Sequence, residues 1–202
     1  MAKIKSDPEK LLELARSQPL IRASEIRDKG IATVTLSRAV KRGLIERVGR
    51  GLYRHVNAEW NENASLAEVT AMVPQGVIVL LSALGFHQIG THRAHAVWIQ
   101  LKINAVTPRI AYPPIEIVRS SLPNAFTAGV DTHLLNGIEV RITNPARTIA
   151  DCFKYRHKLG LELCLEALRE IIRGPATPSE ILEYAKINKV DNLMLPYLEA
   201  LS

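Results

Sequence analysis

The chain is expected to be an α+β protein in two parts. Residues 1–57 form an N-terminal winged helix-turn-helix. Residues 58–202 form a mixed α/β C-terminal domain with a small sheet and C-terminal helices. Three observations predict this. Three short helical patterns, joined by connections of a few residues, run straight into a basic hairpin, the arrangement of a winged helix. Strand-length apolar runs separated by Pro-containing and Asn-Gly connections fill Ala96 to Ile142. From Asn144 onward the apolar spacing turns helical.

In the first part, Asp7 can cap a helix, Pro8 suits its first position and Glu9 complements its dipole. Leu11, Leu12, Leu14 and Ala15 supply its apolar stripe, and Gln18-Pro19 ends it. Leu20-Ile21 is a short apolar bridge. Ser24 is placed to cap a second helix, which runs through Lys29 with Ile26 inward and Gly30 closing it. Thr33 starts the third. At about 100° per residue from Leu36, Ala39, Val40 and Leu44 fall on one side of this helix. Val34, Arg38, Lys41 and Arg42 fall on the other, with Thr35 at the edge. Leu44–Val48 and Leu52–Arg54 then read as two strands around a Gly49-Arg50-Gly51 turn, whose glycines put Arg50 at the tip.

The polar run VNAEWNEN at 56–63 marks the expected domain boundary. Ala64 to Val73 reads as a helix stopped by Pro74 and Gly76. Val77–Leu81 is either a buried strand or the start of a helix through Leu84; periodicity leaves both open. Ala96–Leu101, Ile115–Arg119, Thr132–Leu135 and Ile138–Ile142 are strand-like, and Asn136-Gly137 joins the last two as a hairpin. The remaining helices are expected from Asn144-Pro145 to Tyr155, from Gly160 to Arg173, from a Thr177–Glu180 capping box to about Lys186, and from Asn192 to Leu201 despite Pro196.

Charge is distributed as unevenly as structure. Residues 1–57 hold 13 Lys+Arg against 6 Asp+Glu, whereas residues 58–202 hold 13 against 14, so the net charge of +6 arises in the first quarter. Such asymmetry points to a nucleic-acid-binding end and a near-neutral partner domain. Between Leu36 and Arg54 six cations face one acid, Glu46. Arg38, Lys41 and Arg42 occupy adjacent turns of one helix face and can enter a major groove together. Val34 and Thr35 are sized for thymine methyl groups, and Arg47, Arg50 and Arg54 lie on the hairpin, where a wing follows the backbone or minor groove. A winged helix that binds protein instead is the competing reading, and the cation excess argues against it.

Enzyme chemistry finds little support. His87, His92 and His95 are close in sequence, but no Cys is nearby and no acid lies between Glu68 and Glu116, so they read as loop histidines, not metal ligands. Glu116, Asp131, Glu139 and Asp151 form no recognisable acid-plus-lysine arrangement and read as surface charges or caps. No glycine-rich phosphate loop or G-x-S-x-G elbow occurs. No catalytic residue, metal or cofactor is therefore expected. Arg147 and Asp151, i,i+4 neighbours in the run N-P-A-R-T-I-A-D-C, read either as one surface ion pair, which contributes only tenths of a kcal/mol, or as a polar cluster that meets a partner. No apolar run approaches the ~20 residues of a membrane span. The sequence MAKIKSDPEK lacks a signal-peptide core. Cys152 and Cys164 read as free thiols in a reducing cytoplasm.

Three stretches give the chain a likeness to a known family: LIERVGRGLY at 44–53, LLSAL at 80–84 with His87 after it, and TNPARTIADC at 143–152. It resembles the AbiEi antitoxins of bacterial type IV toxin–antitoxin systems. The resemblance implies an N-terminal winged helix that represses its own operon by binding inverted repeats in double-stranded operator DNA. It implies a C-terminal domain that counteracts a nucleotidyltransferase-like toxin without forming a stable complex. Arg38, Lys41, Arg42, Arg47, Arg50 and Arg54 would be the DNA contacts; no antitoxin residue carries over by position. The alternatives are a stand-alone winged-helix regulator with a ligand- or protein-sensing second domain, and a DNA-directed nuclease. With no coiled coil in the sequence, a monomer in solution is expected.

Overall fold

In a computed structural model, residues 6–18, 20–57 and 63–201 are described. The N-terminal residues up to Lys5, Pro19 of the helix stop and residues 58–62 of the boundary run lie outside them. The described residues divide into two compact units, one of residues 1–74 with 134–139 and one of 75–133 with 140–202. The expected boundary after residue 57 falls inside the first.

The first unit begins with α1 (Asp7–Ser17), β1 (Ile21–Arg22), α2 (Ala23–Asp28) and α3 (Thr33–Lys41). It continues with β2 (Ile45–Gly49), β3 (Leu52–His55) and α4 (Ala64–Met72). Helix α1 is capped one residue earlier than expected: the Glu9 carboxylate accepts both the backbone N–H and the hydroxyl of Ser6. Asp7 is thereby left to accept the Ala32 N–H at 3.3 Å, which ties the start of α3 to α1. Helix α2 likewise starts before Ser24, because the Glu25 carboxylate accepts the Arg22 N–H at 2.8 Å. Its end is as the sequence requires, with Gly30 at φ +70°. Leu11, Leu14, Ile21, Ile26, Leu36, Ala39 and Ile45 form the core between the three helices. Leu44, expected on the inward side of α3, is exposed; Gly43 at φ +67° breaks the helix first, so the helical phase does not reach it. Strands β1, β3 and β2 make an antiparallel sheet in that order, completing a winged helix-turn-helix.

The second unit is built on β4 (Val77–Ile78), α5 (Leu80–Phe86), β5 (Val97–Lys102), β6 (Ile115–Ser120) and most of β7 (Val130–Leu135) and β8 (Ile138–Thr143), whose residues 134–139 belong to the first unit. Five helices follow: α6 (Pro145–Lys154), α7 (Arg156–Leu159), α8 (Leu161–Arg173), α9 (Pro178–Asn188) and α10 (Asp191–Leu201). The two readings of Val77–Leu81 are both realised, a two-residue strand that turns at Leu80 (φ +51°) into α5. The sheet order is β6-β5-β4-β8-β7. It is mixed: β4 is antiparallel to β5 and parallel to β8, and β5 is parallel to β6. Asn136 and Gly137 both have positive φ, as the two-residue hairpin turn demands. Ile149, Phe153, Leu168, Ile171, Ile181 and Met194 bring α6, α8, α9 and α10 into one core. The two cysteines are free and buried there, with the Cys164 thiol donating to the Cys152 carbonyl. No helix among the described residues is long and apolar enough to cross a membrane.

Inside this unit Arg147 and Asp151, for which a surface ion pair is one of the two readings from sequence, are buried. Arg147 is 1% exposed and Asp151 2% exposed. Arg147 Nε lies 3.0 Å from each Asp151 oxygen, and its Nη1 donates to the Ala128 carbonyl. Asn188 adds a 2.6 Å bond from α9 to Asp151 Oδ1. The i,i+4 spacing is as expected, but α9 covers that face of α6. Burial pushes the Asp151 carboxyl up from the usual carboxylate range, against the opposing pull of Arg147 and Asn188. Gly129 closes the cluster. It adopts φ +63°, and a Cβ there would stand 2.7 Å from Arg147 Cβ and 2.8 Å from the Tyr184 ring. A Gly129→Ala chain should therefore lose about 2–3 kcal/mol, combining left-handed strain with overpacking. A urea midpoint equal to that of the native chain would contradict this.

Candidate nucleic-acid interface

Helix α3 forms because Ala32 takes extended backbone before Thr33 and because apolar residues recur at Leu36 and Ala39 on the face that meets α1. Everything opposite is pushed to solvent. Val34 is 53% exposed, Arg38, Lys41 and Arg42 are exposed, and Thr35 is half-buried at the edge of the face. Three cations thus share one side of α3 and its C-cap with a short apolar and hydroxyl-bearing pair at the N-terminal end.

The hairpin follows from local chemistry. Glu46 faces Arg54 and Arg47 faces Tyr53 across it, and the pairing slips between Arg47 and Gly49, leaving Val48 in a bulge. Gly51 takes φ +69° to close the turn, and its carbonyl accepts the Ala23 N–H at 2.8 Å, fastening the tip to the start of α2. Arg50 is exposed at the turn. Arg47 is exposed too, with Nε donating to the Gly49 carbonyl at 3.1 Å.

Arg54 stands apart from the other five. Its Nε and Nη2 lie 3.0 and 2.9 Å from Glu46 Oε2, and its Nη1 lies 2.8 Å from Glu68 Oε1. Its side chain is only 19% exposed. Glu68 itself is 2% exposed, on a helix whose Ala64, Leu66, Ala67, Val69 and Ala71 are buried. Burial pushes its carboxyl up and the Arg54 guanidinium pulls it back. Reading the sequence missed Glu68. The available signal was a single acid inside the apolar run ASLAEVTAM, which has no solvent face to put it on.

The remaining candidates are dispersed. His87 Nε2 is 2.8 Å from the Thr143 carbonyl oxygen, and burial lowers its pKa. His92 is 3.7 Å from Glu166, and His95 is exposed. Among the described residues no three His, Cys, Asp or Glu side chains are grouped to hold a metal ion. Glu116, Asp131 and Glu139 are exposed; Asp151, grouped with them by sequence, is the buried partner of Arg147.

Comparison with known proteins adds to this geometry. Residues 9–55, from the first turn of α1 to the last residue of β3, match the family model "Transcriptional regulator, AbiEi antitoxin". No curated protein matches the chain. A crystal structure of the RV2827C protein from Mycobacterium tuberculosis has a similar fold, with a TM-score of 0.57. That likeness covers 98% of this chain and 83% of the other, at 11% sequence identity.

Proposed function

We propose that this chain, which carries an AbiEi-type regulator domain at residues 9–55, is a DNA-binding transcriptional repressor and the antitoxin of a type IV toxin–antitoxin system. In this reading residues 1–57 bind operator DNA. Helix α3 enters the major groove, Val34 and Thr35 meet base methyl groups, and Arg38, Lys41 and Arg42 take bases and phosphates. Arg47 and Arg50 reach the flanking backbone from the wing. The observation that carries the reading is the five exposed cations on α3 and the hairpin, within the span that matches a regulator family. Residues 58–202 hold the antitoxin activity against a nucleotidyltransferase-like toxin. The protein is a monomer in solution that occupies inverted repeats as two copies. Where no such toxin gene neighbours it, the same DNA-binding end serves a stand-alone regulator.

The test is a salt-controlled binding assay on a duplex of the gene's own upstream region. Affinity should fall linearly on a log–log plot with salt. Arg50→Ala should weaken binding to all duplexes and reduce that slope by about 0.9, the value for one neutralised phosphate. No binding at low salt, or binding indifferent to salt, would overturn the DNA reading. The antitoxin half is tested by co-expression with the product of an adjacent nucleotidyltransferase-like gene, where failure to restore growth counts against it.

A further inference from the structure

Helix α4 lies beyond the family match and beyond the expected DNA-binding domain, yet it meets both strands of the wing. On β3 it meets Arg54 through Glu68 Oε1 at 2.8 Å. On β2 it meets Gly49, where a Cβ would stand 2.7 Å from Met72 Sδ. Glu68 and Met72 are i,i+4, so both contacts come from one face of the helix. A buried carboxylate is an expensive way to attach two elements, and an apolar side chain of similar volume would serve stability as well. What the charge adds is direction: it draws one guanidinium, already paired with Glu46 across the hairpin, toward α4.

We propose that α4 braces the wing, with Glu68 as a positioning residue for DNA binding that acts through Arg54 while Met72 seats against Gly49. This rests on the DNA-binding reading above. Arg54 then contributes to binding by holding β3 in place so that Arg50, at the wing tip, is presented to the backbone. A glycine at position 49 lets Met72 approach the strand closely, since a side chain there would have to displace the methionine. The DNA-reading unit accordingly extends through α4.

The sign of one substitution separates positioning from charge. Glu68→Gln removes a negative charge from a basic DNA-binding unit, which by Coulomb effects alone tightens binding. Loss of a brace weakens it. In the full-length chain, Glu68→Gln should bind the upstream duplex about fivefold more weakly. Met72→Ala, which changes no charge, should do the same and keeps the test available if Glu68→Gln does not fold. Both effects should shrink to nearly nothing in an Arg50→Ala background, since the brace acts on what the wing tip does. A purely structural role gives additive losses instead. Wild-type binding with both variants as tight as wild type or tighter, or with losses that add to that of Arg50→Ala, overturns the brace alone. No binding by the wild-type chain overturns the DNA reading and the brace together.

Discussion

An Arg147→Met chain should be about 3–5 kcal/mol less stable than the native protein at neutral pH. Methionine keeps most of the apolar bulk but removes the one guanidinium against the Asp151 carboxylate, 3.0 Å away and 2% exposed. Asn188 remains as a hydrogen-bond donor, but an amide cannot neutralise a buried charge. The penalty should depend on pH in a definite direction. Burial already raises the Asp151 pKa and Arg147 opposes it, so removing Arg147 raises it further. A group whose pKa is higher in the folded than in the unfolded chain stabilises below the unfolded value and loses that contribution as pH rises through the folded value. The deficit of the variant should therefore be smallest near pH 4 and grow toward neutrality. Urea unfolding followed by far-UV circular dichroism at both pH values measures it. A deficit of a few tenths of a kcal/mol, constant with pH, would mean that the pair behaves as an exposed one.

That pair also shows where sequence stops being informative. An Arg and an Asp at i,i+4 look the same whether the helix face meets water or another helix. What buries them is α9, whose Asn188 lies 37 residues further on. Arg54 repeats the lesson. The cation excess of the hairpin was legible, but the second acid that engages Arg54, besides Glu46, sits in α4, 14 residues away and across residues 58–62. By contrast, features set by a few adjacent residues were read well. The Gly51 turn, the Asn136-Gly137 hairpin, the Thr177–Glu180 capping box and the two-sided character of α3 each follow from local backbone or wheel geometry. The short α7 and a 3₁₀ turn at Pro123–Phe126 left no periodicity to detect. The parallel pairing of β4 with β8 joins residues 64 positions apart, and no local pattern encodes it.

Combining Arg38→Ala, Arg42→Ala and Arg50→Ala should nearly abolish operator binding while leaving the fold intact. The three side chains are exposed, two in α3 and its C-cap and one at the hairpin turn, so each substitution should alter stability by no more than about 0.5 kcal/mol. Their effect on binding is of another size. A side chain that reads a base contributes about 1–3 kcal/mol, and a cation that neutralises one phosphate accounts for about 0.9 of the salt slope. Arg38 and Arg42 as base readers with Arg50 on the backbone together predict a loss on the order of a thousandfold. The two roles are separable. Restoring Arg50 alone should recover affinity for every duplex and steepen the salt dependence. Restoring Arg38 and Arg42 alone should recover the preference for the operator over unrelated sequence. Both follow from where the cations stand, on two elements whose only common feature is exposure on one basic unit. Operator affinity in the triple variant equal to that of the native chain would remove α3 and the wing from any role in DNA binding.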